Sequence, residues 1–91
     1  MKWKLFANFA EVAGMREIEI EMGDEIKIGD ALSNLFEELP ELRSSVIDEK
    51  GEVHGHIQIL HNGEEIEAEN FSLMFVRDTD ELAIIPPMSG G

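Results

Sequence analysis

Residues 80–91 read Asp-Glu-Leu-Ala-Ile-Ile-Pro-Pro-Met-Ser-Gly-Gly, and how that stretch divides decides the fold. Leu82 and Ile84 alternate with Ala83 and Ile85, the two-residue period of a strand. Pro86 and Pro87 stop it, because neither has an N–H to give to a sheet ladder. The remaining residues, 88–91, lie beyond the last packed element. The division predicts one folded domain over 1–85 and a flexible C-terminal tail over 86–91.

Earlier strands show the same alternation. Between Lys2 and Asn8, Trp3, Leu5 and Ala7 share one face while Lys2, Lys4, Phe6 and Asn8 share the other. From Met15 to Met22, Ile18, Ile20 and Met22 point inward and Glu17, Glu19 and Glu21 outward. Phe9 to Gly14 reads as a connection. An antiparallel pairing of the two strands sets lysines opposite glutamates, which is favourable across strands. The Gly23-Asp24 pair then breaks the second strand.

The period changes at Ile28. Ile28, Leu32, Leu35 and Leu39 recur at helical spacing, so Ile28 to Leu39 is an amphipathic helix, ended by Pro40. Leu42 and Val46 suit a short turn after it. Ile57 and Ile59 resume strand alternation, Asn62-Gly63 signals a hairpin, and a short strand lies around Ile66. Phe71 to Val76 fits both a helical turn and irregular packing. The order is strand, strand, helix, two strands, strand, tail. A helix across one face of a mixed sheet buries both apolar stripes, an α+β solution. The first and last strands, as neighbours, run parallel.

Bulk properties narrow the function. Ninety-one residues with 43% hydrophobic content suit a single globular domain. The absence of cysteine removes disulfides, zinc–thiolate sites, cysteine nucleophiles and iron–sulfur clusters. No apolar run approaches the ~20 residues of a membrane span, and a cytoplasmic location is the default expectation. Twenty acids against seven bases give a formal charge of -13, which repels phosphate backbones and makes nucleic acid an unsuitable partner. That surface suits steering toward basic proteins, and equally suits solubility or a salty cytoplasm. His54, His56 and His61 read as surface histidines near a hairpin rather than a metal site. No glycine-rich phosphate loop is present, so the chain is not expected to bind ATP or another cofactor itself.

Lys-Leu-Phe-Ala…Glu-Val-Ala-Gly near the start, Ile-Gly-Asp-Ala-Leu at the helix start and the 80–91 ending together resemble the MoaD/ThiS-type sulfur carriers. Within that group the chain resembles the small archaeal ubiquitin-like modifier proteins. The resemblance covers the whole chain, and the tail is its most specific part, since a chance terminal Gly-Gly has a probability of roughly 0.5%. It implies the ubiquitin-like β-grasp fold and a cycle in which an activating enzyme uses ATP and magnesium to adenylate the Gly91 carboxylate. The product is then a thiocarboxylate, for molybdopterin synthesis or thiolation, or an amide to a target lysine. The partners implied are the activating enzyme and either the molybdopterin synthase large subunit or target-protein lysines. The chain is then a substrate and not an enzyme.

Within this frame Gly91 is the attachment point, Gly90 grants access to a narrow channel, and Pro86, Pro87, Met88 and Ser89 form the arm. In the family's strand order the first, last and third strands are adjacent. Phe6, Leu60, Ala83 and Ile85 would then cluster as an apolar patch on the sheet face away from the helix, a partner-docking surface. Two departures stand out. Lys27 replaces the threonine many members carry before the helix, leaving Asp30 or Glu25 to cap it, and Thr79 stands where the final turn often has Gly. The ending also lacks the arginines of ubiquitin's tail, which argues against a ubiquitin-specific enzyme. The reading of another class is a non-covalent β-grasp interaction domain with an incidental Gly-Gly end.

Overall fold

The computed structural model describes residues 1–21, 23–71 and 73–87. In chain order, β1 (Lys2–Leu5) leads through α1 (Ala7–Ala13) to β2 (Glu17–Glu19). β3 (Ile26–Lys27) opens directly onto α2 (Ile28–Glu38), and α3 (Pro40–Val46) follows. β4 (Gln58–His61) and β5 (Glu64–Glu65) form a hairpin, and a 3-10 turn covers Ala68–Asn70. β6 (Phe75–Val76) and β7 (Glu81–Ile85) complete the elements among the described residues.

The main sheet has the order β2-β1-β7-β4-β5. β1 and β7 run parallel, with Lys4 beside Ala83 and Leu5 beside Ile84, and the other neighbours are antiparallel. This is the ubiquitin-like β-grasp in its mixed α+β form. Trp3, Leu82, Ile84 and Ile59 from the sheet and Ile28, Ala31 and Leu35 from α2 are all fully buried. Each large side chain among them contributes roughly 1.5–3 kcal/mol by leaving water.

The first strand is shorter than its alternation suggests. It ends at Leu5, so Ala7 does not point inward, and the stretch expected to be a connection is α1. Three apolar residues at helical spacing, Phe9, Ala10 and Ala13, drive this, because Phe9 reaches the core and is 2% exposed. Gly14 closes the helix in the left-handed region at φ 74, its N–H donating to the Ala10 and Glu11 carbonyls at 2.9 and 3.3 Å.

The start of α2 is also capped differently from expectation. Lys27 occupies the N-cap without a side-chain hydrogen bond, and Asp30 lies in the first turn. Glu25 pairs instead with Arg77, with 3.4 Å between Oε2 and Nε. The Ile28 N–H donates to the Met74 carbonyl at 3.1 Å, so a backbone group of the 71–76 segment does part of a cap's work. That segment, ambiguous in sequence, continues as β6, which pairs with β3 in a second, two-stranded sheet. The hairpin signal holds: Asn62 and Gly63 take φ 51 and 89, the geometry of a type I′ turn.

Candidate functional site

β7 is central to the sheet and carries the chain out toward its end. Leu82 and Ile84 face the helices, which turns Ala83 and Ile85 to the opposite face. The register sets Ala83 between Lys4 and Leu60, and Ile85 beside Gln58. Phe6 follows Leu5, the partner of Ile84, and so stands level with Ile85. The structure therefore brings together the four residues that the alternation grouped.

Their exposures differ. Phe6 is 43% exposed, Leu60 and Ile85 are half-buried, and Ala83 is only 6% exposed. Ala83 is thus floor rather than contact surface, because its methyl lies between the much longer side chains of Lys4 and Leu60. The rim is charged: Lys4 Nζ lies 3.4 Å from Glu81, and Lys2 Nζ lies 3.9 Å from Glu17. Exposed pairs of this kind add little stability and chiefly set the field around the apolar patch.

Phe6 also borders a groove of about 730 Å³ between β1 and α1, lined by Ala7, Ala10, Met15 and Arg16 among others. A connection over Phe9 to Gly14, as the sequence suggests, would leave no such groove, which needs α1 packed beside β1. The signal was the small pair Ala7 and Ala10, three residues apart beside exposed Phe6 and Met15. Ala7 is held at φ 50, a left-handed conformation that costs a non-glycine residue about 1–2 kcal/mol.

The exit from β7 also corrects one assignment. Pro86, expected to begin the tail, is buried, whereas Pro87 is exposed. The arm is therefore rooted one residue later than the sequence division placed it. Met88, Ser89, Gly90 and Gly91 lie outside the described residues, as does Met22, which was expected to point inward. Five residues from Pro87 to Gly91 span at most about 17 Å when extended.

The other end of β7 is anchored by a polar cluster. His61 Nε2 lies 2.8 Å from Asp80 Oδ2, the Asn62 amide donates to Asp80 Oδ1 at 3.2 Å, and the Arg77 N–H donates to Oδ2 at 2.9 Å. Partial burial would raise the Asp80 carboxyl above its ordinary value, but the hydrogen bonds from His61, Arg77 and Asn62 outweigh it and hold the group low. A folded-state value below the unfolded one stabilises the fold above the ordinary carboxylate range, and that contribution fades as pH falls through the lowered value. Asp80→Asn should therefore cost about 1–3 kcal/mol at neutral pH. Its deficit should shrink in urea titrations repeated below roughly pH 4. A deficit independent of pH would mean the charge on Asp80 is not what matters. His54 and His56 are exposed and apart from this cluster. Among the described residues, no three His, Asp or Glu side chains are grouped so as to hold a metal ion.

Comparison with known proteins places this geometry among relatives. The ThiS family profile matches residues 3–91. Small archaeal modifier protein 1 of Haloferax volcanii is 42% identical over 91 residues, covering 100% of both chains. The crystal structure of that protein superposes with a TM-score of 0.89, covering 100% of this chain and 98% of the other. The solution structure of small archaeal modifier protein 1 from Methanosarcina acetivorans gives 0.78 at 38% identity, covering 99% and 94%.

Proposed function

The chain belongs to the ThiS family, and from that premise we propose that it is a ubiquitin-like carrier or modifier that works through its Gly91 carboxylate. One observation carries the reading: β7, clamped between β1 and β4, is followed by buried Pro86 and exposed Pro87, and in the sequence Gly90-Gly91 comes only a few residues after them. A terminal carboxylate is a poor electrophile. Attack by its oxygen on the α-phosphorus of ATP, held with magnesium by an activating enzyme, forms an acyl adenylate and releases pyrophosphate. A sulfur nucleophile or a lysine amine then attacks the carbonyl carbon and AMP leaves, giving a thiocarboxylate or an isopeptide bond. Gly90 and Gly91 have no Cβ, so the arm can thread a channel too narrow for other residues. In this scheme the chain is the substrate and its partner is the catalyst. The molybdopterin synthase large subunit and target-protein lysines are the acceptors the two branches would use.

Intact mass of the protein isolated from its own cells separates the branches. A sulfur-for-oxygen gain at the C-terminus is expected of a carrier, and Gly-Gly remnants on lysines of other proteins are expected of a modifier. Finding neither would favour the non-covalent interaction domain.

Docking of the activating enzyme is assigned to Phe6, Leu60 and Ile85, with Ala83 beneath them. Replacing Phe6 and Ile85 together by Ser should leave the fold largely intact, since both are partly solvated already. Affinity for the activating enzyme should fall by more than about 1 kcal/mol for each anchor lost. Calorimetric titration measures this. Unchanged affinity would leave recognition to the tail alone.

A further inference from the structure

β2 is one edge of the main sheet. Its ladder with β1 runs from the Leu5 N–H donating to Arg16 O at 2.8 Å to the Ile20 N–H donating to Met1 O at 2.8 Å. Met1's amine returns a bond to Ile20 O at 2.9 Å. In an antiparallel ladder the paired residues alternate, so Arg16, Ile18 and Ile20 direct their backbone groups at β1. Glu17 and Glu19 therefore direct their N–H and C=O groups to the open edge. Both side chains are exposed on the outer face, while Ile18 and Ile20 are half-buried against the core from the inner one.

We propose that this edge accepts an extended segment of a partner protein in which basic and apolar residues alternate, added as a further strand beside β2. Backbone groups of Glu17 and Glu19 supply the hydrogen bonds, the mode by which sheet edges take up peptides. Lysine or arginine opposite Glu17 and Glu19 meets opposite charge, and an apolar residue opposite Ile18 covers the open side of Ile18 and Ile20. Glu17 shares Lys2 at 3.9 Å, and among the described residues no cation lies within ion-pair distance of Glu19. The chain's formal charge of -13 draws in the same kind of partner at long range. A second copy is disfavoured, because antiparallel β2–β2 pairing sets glutamate opposite glutamate. The hairpin edge at β5 is a weaker template, since that strand has only two residues.

The test uses the full chain, labelled with ¹⁵N, and two synthetic peptides. One is acetyl-Lys-Val-Lys-Val-Lys-Val-Lys-amide, and the other has the same composition with its lysines and valines in two separate blocks. The alternating peptide should slow exchange of the Glu17 and Glu19 amide protons and bind at least about tenfold more tightly than the blocked one. Glu19→Pro removes an N–H that faces the open edge and none that faces β1, so it should abolish the preference while the Ile20–Met1 bonds persist. Equal affinity for the two peptides, or no binding, would overturn the proposal and leave only a diffuse acidic field. Unaltered preference in a folded Glu19→Pro variant would overturn it too. Should that variant fail to fold, amide exchange in the unaltered chain decides.

Discussion

Leu35→Ala should lower the free energy of unfolding by about 2–5 kcal/mol, the range for deleting a buried leucine side chain from a packed core. Leu35 is fully buried and central in the α2 stripe that also carries Ile28, Ala31, Leu32 and Phe36. Its neighbours there cannot collapse into the vacated volume without giving up their own positions, because they are fixed on one rigid helix over a hydrogen-bonded sheet. In a domain of this size the whole stability is of order 5–15 kcal/mol, so the variant should unfold at much lower urea. A change below about 0.5 kcal/mol, the scale of a surface site, would mean that α2 does not pack through this residue.

That helix is also where the sequence was easiest to read. Its apolar residues recur at helical spacing, and Ile28 to Leu39 matches the observed Ile28–Glu38 to one residue. The β1–β7 neighbourhood was implied by the family resemblance, and its parallel direction follows once the first and last strands are neighbours, as they are. α1 was not legible, because Trp3, Leu5 and Ala7 sustain a strand period across its start, and of its apolar residues only Phe9 is large and fully buried while Ala10 and Ala13 are small and partly buried. β3 and β6 have two residues each, too short for any period to register, and their pairing is a tertiary outcome. Alternation set Phe6, Leu60, Ala83 and Ile85 on the sheet face away from the helix, but the shielding of Ala83 depended on the size of its cross-strand neighbours. Burial of Pro86 was hidden for a similar reason: a proline pair signals the end of a ladder, not the end of packing.

Removing Gly90 and Gly91 should abolish activation while changing stability by no more than ~0.5 kcal/mol, because both residues lie past the packed root at Pro86. The two effects separate because the fold and the chemistry use different parts of the chain. The shortened chain still ends in a carboxylate, but on Ser89, whose Cβ should hinder entry to a channel that admits glycine. It also falls short by roughly 7 Å of extended chain. Loss of both fit and reach should reduce adenylation to background, even at high concentrations of the shortened chain.

The most direct measurement is ATP–pyrophosphate exchange, with the cognate activating enzyme and magnesium, on the full chain and on the chain lacking Gly90-Gly91. Exchange that depends on the full chain and disappears with the deletion is the predicted result. Exchange that persists undiminished with the shortened chain would contradict the assignment of Gly91 as the working group.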